Sequence, residues 1–433
     1  VTEPRPLPRR ATSTPAQRDA QTKLIRSTFL GSLSKDMLTG PFFVAFAVQV
    51  MQFSDGQIST MLALLPLVVL LRYPFLDRIR SYPRRDVTIA ARFIQLACLL
   101  LLLCLPTDWI SLPVLFGIAA LFVFGNEFLQ NAVWTNFVAE VTARGDRGAF
   151  LGRLRTGKQF TNLAFALFGW LLVGDLLDRT EHSILLVVVI LLLLNSLYWL
   201  FRIPSQPPPG QLQAFSGKGH FWSTLRHSRL LRRPLALAFI IGILHWPILT
   251  LYLVGTLNMP ASILMLSVVA NMLGPIFSVF IWGRQADRHG ERRIFLLYFT
   301  CVLGLYPILL LVPDFATVPD HGRAWFIGVG AILGFNFLAG ILDAGQMMAG
   351  SMYQARYVND EDGFHAINIL TAANQLFMAG LTALGGLVLS FNAGGGVIRF
   401  GPLEMDLFRA LTLLIVTLAI AAGAAIARGI PED

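Results

Sequence analysis

Residues 184–203 read ILLVVVILLLLNSLYWLFRI, twenty residues whose only charge is Arg202 at the far end. A helix of that length, rising about 1.5 Å per residue, covers about 30 Å, the thickness of a bilayer's hydrocarbon core. The run does not alternate apolar with polar residues, so it is not a barrel strand. It is a transmembrane helix. Working outward from it, similar runs occur at 27–52, 58–76, 87–106, 112–140 and 150–174 before it. Six more follow at 234–255, 260–281, 294–313, 324–352, 364–390 and 405–428. Pro41, Pro66, Pro247 and Pro275 fall inside these runs, where membrane helices tolerate proline and bend at it. The fold class is all-α and integral to the membrane, with about twelve spans.

Composition supports the count. The chain of 433 residues is 55% hydrophobic and 14% charged, with a mean hydropathy of +0.64. A soluble domain carries about 25% charge, so this surface must face lipid. The net charge of +9 would fit nucleic-acid binding only if the basic residues formed a patch. Instead they flank the apolar runs, so no nucleic-acid partner is expected. Alternate loops, with the turns that flank them, carry 27 of the 34 Lys and Arg. The opposite loops carry three, Arg179, Arg323 and Arg399. Positive loops stay in the cytoplasm, which places both termini there, in a bacterial inner membrane. Arg80, Arg84, Arg85, Arg292 and Arg293 read as such anchors. Cys98, Cys104 and Cys301 lie in apolar runs without metal-type spacing and read as packing residues.

The Pro- and Arg-rich residues 1–26 read as a disordered cytoplasmic tail rather than a cleavable signal. Residues 204–233, opening with four prolines and closing with four arginines, form the longest loop. They separate a first six-helix half, 27–203, from a second, 234–428, ahead of a short tail at 429–433. The halves echo each other: Asp77-Arg78 with Asp287-Arg288, and Asn126 with Asn336, each 210 residues apart. Such an echo implies an internal repeat.

The eighth–ninth loop runs Gly283-Arg284-Gln285-Ala286-Asp287-Arg288-His289-Gly290-Glu291-Arg292-Arg293. It resembles the signature loop of the major facilitator superfamily, G-x-x-x-D-R-x-G-R-R. The second–third loop, from Asp77-Arg78 to Arg84-Arg85, is a degraded copy that lacks both glycines. Glu140 to Arg147-Gly148 resembles the E-x6-R-G found in several facilitator families. The resemblance implies two pseudo-symmetric six-helix bundles around a central cavity, with spans three, six, nine and twelve at the periphery. It implies a cytoplasmic gate at Asp77, Arg78, Glu140, Arg147, Gly283, Asp287, Arg288, Gly290 and Arg292. An Asp at a helix end can pair with the arginines and the dipole of a neighbouring helix, holding one conformation shut. The marks of the superfamily's drug–proton antiporters, a midplane Arg in the fourth span and G-P-x-x-G-G in the fifth, are missing.

Ionisable groups inside the membrane cost at least about 2.5–3.5 kcal/mol each, so they pair or line a cavity. Counted from the cytoplasmic end, Asp36, Glu127, His245 and Asp343 lie near the midplane, with Lys35 and Lys158 close to it. Polar stripes at helical spacing surround them. They add Asn131, Trp134, Asn162, Trp246, Asn271, Asn336, Asn374 and Gln375 to the candidates for substrate binding or coupling. Spans three, six, nine and twelve show no comparable stripe, and Arg92, nearer the cytoplasmic end, is expected to snorkel. Lys158 is the expected cross-helix partner of Glu127 or Asp36. Asp36 with Lys35 reads equally as a local ion pair or as part of a site. His245 reads equally as a proton carrier or as a neutral, hydrogen-bonded ring. Any single amide or hydroxyl also reads as glue between helices.

No metal site, cofactor motif, Walker loop or nucleophile elbow occurs, so the reading is not an enzyme. The expectation is a secondary transporter, working as a monomer, that moves a small molecule by alternating access, with protons as a candidate coupling partner. The rival is a non-transporting membrane protein built on a carrier scaffold. The topology is directly testable in a chain whose native cysteines are replaced by serine. Ser111→Cys should react with a membrane-impermeant maleimide in intact cells, and Ser216→Cys only after permeabilisation.

Overall fold

The computed structural model describes residues 13–69, 79, 82–143, 146–174, 176–205, 248–357, 363–392, 397–400 and 403–428. The architecture is the expected all-α bundle of twelve spans in two halves. Five described stretches are unbroken, long and apolar enough to cross a bilayer: Arg84–Cys104, Arg179–Phe201, Ala261–Val279, Arg292–Leu311 and Arg323–Gly350. Others are interrupted, and the interruptions carry the chemistry.

The first span is assembled from α1 (Pro15–Gly31), α2 (Ser34–Leu38), α3 (Pro41–Ala45) and a π-helical turn at Phe46–Val50. Residues 15–26, expected in a disordered tail, therefore belong to a helix. A capping box explains it: Thr14 accepts from the Gln17 backbone, while the Gln17 side chain accepts from the Thr14 N–H. Ala20, Gln21 and Leu24 are then buried. The second span, α4 (Asp55–Val68), opens with the same device at Ser54 and Gln57. The third is α5 (Arg84–Cys104). The fourth joins α6 (Leu112–Val123) to α7 (Asn131–Val141) through a π-helical segment, Phe124–Gln130. The fifth and sixth are α8 (Arg147–Leu172) and α9 (Arg179–Phe201).

In the second half, the seventh span is described from α10 (Ile248–Leu251), which runs into a π turn at Tyr252–Thr256. Helix α11 (Ala261–Leu305) is two spans joined at Gly290, whose φ of 69° and ψ of 173° break the helix. Glycine suits that left-handed φ, which would strain an L side chain. A 3-10 turn at Tyr306–Leu311 ends the ninth span, and α12 (Arg323–Tyr357) and α13 (Gly363–Asn392) are the tenth and eleventh. An antiparallel ribbon of β1 (Val397–Phe400) and β2 (Leu403–Asp406) occupies the loop before α14 (Leu407–Arg428). The sequence reading assigned that loop no structure.

The halves repeat each other more closely than the 210-residue echo indicates. The first span of each ends in the same turn, 206 positions apart. Gln52 and Asn258 both take positive φ, 54° and 51°. Met51 N donates to Phe46 O and Leu257 N to Tyr252 O, each at 3.0 Å. Phe53 N reaches Ala47 O as Met259 N reaches Leu253 O. An arginine at the start of each half's last span completes the device. Arg179 Nη2 donates to the carbonyls of Leu102, Leu103 and Leu105 at the end of the third span, and its guanidinium lies over Phe46. Arg409 Nη2 donates to Val312 O at the end of the ninth span and lies over Tyr252. Each arginine thus satisfies helix-end carbonyls and stacks on the first span of its own half.

Contact between the halves is made by α4 with α13, α8 with α11, and α10 with α3 and α4. The named close approaches all lie at the end away from the basic loops. Thr256 Oγ1 donates to Asp55, Gly386 faces Ser59, and Gly169 packs on Phe42 and Met265. One apolar core joins both halves there, including Phe42, Phe165, Leu253 and Met265. A separate core around Tyr298, Phe299 and Leu342 belongs to the second half alone.

Spans eight and ten touch backbone to backbone. Pro275 has no N–H to give the Asn271 carbonyl, and Gly340 is pressed against that carbonyl. A Cβ on Gly340 would stand 2.1 Å from Asn271 O. Gly340→Ala is therefore expected to destabilise the fold by about 1–3 kcal/mol through overpacking. Gly334→Ala, with nothing within 4 Å, should leave thermal unfolding unchanged.

Candidate functional site

The polar interior of the first half is a chain of hydrogen bonds that starts in the third span. Arg92 is only 4% exposed. Its Nη1 donates to Gly31 O at 2.6 Å and to Gln95 Oε1 at 2.8 Å. Gly31 must be glycine here, because a Cβ would stand 2.4 Å from the guanidinium carbon. Ser34 Oγ also donates to Gln95 Oε1. Gln95 Nε2 passes the chain to Asn126 Oδ1 and Gln130 Oε1. Asn126 Nδ2 donates to Glu127 Oε1 at 2.9 Å, and Asn131 Nδ2 to Glu127 Oε2 at 2.5 Å. Lys35 Nζ lies 3.7 Å from Glu127 Oε1. Arg92 thus does not snorkel, and the third span does carry a stripe: Thr88, Arg92 and Gln95 are all buried. The spacing of seven residues was visible in the sequence, but Arg92 was placed too near the cytoplasmic end to be counted.

Irregular backbone positions both charged partners. Lys35 and Asp36 sit in the five-residue α2, isolated by a turn at Ser32–Leu33 and by Gly40-Pro41. Glu127 sits within the π-helical segment, where an extra residue per turn redirects side chains. Lys35, Glu127 and Asn131 are thereby brought together, with Trp134 half-buried beyond them. Lys158 is exposed on α8. Asn162 is buried and accepts from Ser32 Oγ at 2.9 Å, joining α8 to the break in the first span. Lys35 thus joins Glu127 from the neighbouring first span.

In the second half, Asn271 Nδ2 donates to Asn336 O and Asn336 Nδ2 to Ile332 O. The Asn271 amide therefore ties α11 to α12, while that of Asn336 bonds back within α12. Asp343 lines a cavity of about 50 Å³ with Leu249, Tyr298, Tyr306 and Phe335. The Tyr298 hydroxyl is buried and has no hydrogen-bond partner among the described residues. The ninth span thus also presents polar groups inward, at Tyr298 and Tyr306, contrary to the sequence reading. Asn374 and Gln375 are half-buried on α13. His245 and Trp246 lie outside the described residues, and Asp36 is described by its backbone alone.

Of the gate residues, Asp77 and Arg78 lie outside the described residues. Arg147, Gly283, Asp287 and Arg288 are described by helical backbone alone, and Arg292 is half-buried just past the Gly290 break. Glu140 pairs with Arg84, joining spans three and four of the same half. Arg85 Nη1 donates to Ile203 O at the end of the sixth span. These arginines make specific contacts rather than serving as topological anchors alone. Ser13 ties the start of α1 to the fourth–fifth loop. Its N–H donates to Asp146 Oδ2 at 2.7 Å, and its hydroxyl accepts from Ala143 N. The Ser13 N–H and hydroxyl, then Arg18 and Arg153, hold the Asp146 carboxyl below the ordinary carboxylate range. Among the described residues, no group of three His, Cys, Asp or Glu is placed to hold a metal ion.

No protein-family profile and no curated protein matches the chain in sequence. Solved structures match its shape. The xylose transporter XylE from E. coli, in a partially occluded inward-open conformation, superposes with a TM-score of 0.68 at 11% identity, over 97% of this chain and 99% of its own. A bacterial homologue of the human lysosomal transporter Spinster, inward-facing and unoccupied, gives 0.59 at 15% identity, covering 96% and 98%. The nucleoside transporter NupG gives 0.59 at 12% identity, covering 95% and 98%. A chain with twelve spans, two repeated halves and a charged interior shared by broken helices has the fold of the major facilitator superfamily.

Proposed function

We propose that the chain is a secondary transporter that carries a small solute across the inner membrane by alternating access, with both termini in the cytoplasm. The observation that carries this reading is the Lys35–Glu127 pair, held between broken helices inside a fold shared with solved transporters. Among the described residues, the named contacts between the halves form a seam at the end away from the basic loops. Cargo would meet Lys35, Glu127, Asn131, Trp134 and Lys158 from the first half, with Asn374 and Gln375 facing them from the second, and Asp343 would serve proton coupling from a cavity within the second half. The bundles would rock about the seam, with Asp77, Arg78, Asp287 and Arg288 closing the cytoplasmic side. Arg84 and Glu140 would brace the first half while it moves.

Two measurements test this. Spin labels at Asp86 and Arg293 mark the basic end, and labels at Asp108 and Asp320 mark the opposite end. In lipid, the first pair should show a second, shorter distance population as the second pair shows a longer one. A single fixed distance in both pairs, across all solutes tried, would sink alternating access. Coupling is tested in proteoliposomes with any solute that stabilises the protein. Asp343→Asn or Glu127→Gln should abolish accumulation driven by a proton gradient while sparing counterflow exchange. If both variants still accumulate solute as the unmodified chain does, neither acid couples.

A further inference from the structure

The arrangement around Glu127 bears on the cargo itself. Glu127 is the inner member of its ion pair, with a side chain 16% exposed, whereas the Lys35 side chain is 60% exposed. Each Glu127 oxygen already accepts from an amide, Asn126 on one and Asn131 on the other. Behind them, Gln95 and Arg92 supply further donors to the same chain. The carboxylate is therefore hydrogen-bonded before any solute arrives. Lys35 is not: at 3.7 Å its ammonium feels the Glu127 charge without a hydrogen bond. An ammonium has three donors, and one exposed to this degree at mid-depth cannot face hydrocarbon. Its donors must therefore face water inside the bundle. Lys158 is exposed on the neighbouring α8. The ionisable groups on the membrane-buried parts of spans one, three, four and five are Lys35, Asp36, Arg92, Glu127, Arg155 and Lys158, four basic against two acidic. Asp343 lines a cavity built from second-half residues alone.

We infer that the cargo is an organic anion, whose carboxylate, phosphate or sulfonate oxygens take the spare donors of Lys35 while Trp134 packs on its apolar body. This rests on the carrier reading and adds the sign of the solute's charge. Glu127 then acts as a positioning residue: it draws the ammonium toward the cavity without using its donors. A cationic solute would instead have to displace Lys35 and compete with two amides for Glu127.

The test uses the purified full chain and matched solutes that share one ring: benzoate, phenyl phosphate and benzenesulfonate against benzyl alcohol, benzamide and benzylamine, with aliphatic sets built the same way. Thermal stabilisation by anionic members, absent for their neutral and cationic partners, is the expected result. The three anions separate carboxylate from phosphate and sulfonate recognition. Binding of the effective anion should weaken about tenfold to a hundredfold in Lys35→Gln and be largely retained in Lys35→Arg. Stabilisation by the amine or the neutral members alone, or by no anion in any set, overturns the inference. The unmodified protein decides this even if Lys35→Gln does not fold. Proteoliposome flux separates this inference from the one beneath it. Flux of a neutral or cationic solute would refute the anion class and leave the carrier standing. A bound anion that is never translocated would overturn the carrier and keep the site.

Discussion

A guanidinium buried in a hydrocarbon-spanning bundle has to be answered by acceptors, and much of the first half is arranged around that demand. Arg92 finds two, a backbone carbonyl at Gly31 and the amide oxygen of Gln95. Gly31 lies where α1 ends, just before the first span breaks, so its carbonyl is available to a partner on another helix. Gln95, fixed by Arg92 on its oxygen, has its nitrogen oriented toward Asn126 and Gln130. Asn126, fixed in turn, donates to Glu127. The orientation of each amide follows from the one before it, and the chain ends at the Lys35–Glu127 pair. A peripheral span thereby sets the geometry at the centre.

The number of spans and the division into halves were legible in the sequence, because hydrocarbon imposes a length on every crossing helix and tolerates few charges. The candidates Lys35, Glu127 and Asn131 were legible for the same reason: a midplane charge is expensive and has to be used. What periodicity could not show was which neighbour each one meets. The pairing of Lys35 with Glu127 depends on the break at Gly40-Pro41 and the π segment at Phe124–Gln130, which position the two charges. A π segment leaves no mark in a hydrophobic pattern, because it shifts register by a single residue. Arg92 was hidden by a different assumption, that an arginine near a helix end reaches for water. Asn271 and Asn336 resembled cavity residues but bond to backbone, because Gly274 and Gly340 draw spans eight and ten so close together.

The repeat became clearer in three dimensions than in one. Only two pairs of residues matched at a constant offset in sequence, yet the turns at Gln52 and Asn258 agree in dihedral angle and in hydrogen bonding. Side chains have diverged, with Phe46 answered by Tyr252, while the backbone geometry has not. The offsets differ by four residues, 206 here against 210 at Asp77 and Asp287, which places a small length change between the first turn and the following loop.

Arg179 and Arg409 give this symmetry a mechanical meaning. Each rivets three spans of its own half, the first, third and sixth or the seventh, ninth and twelfth. Load applied at one helix of a half is therefore shared by its siblings before it reaches the other half. The halves meet where α4 packs on α13, α8 on α11, and α10 on α3 and α4. Along that seam Gly386 meets Ser59, Gly169 meets Met265, and Thr256 donates to Asp55 at 3.5 Å. Each half is held within by directed hydrogen bonds, while the seam between them is mainly apolar packing, which has no preferred direction.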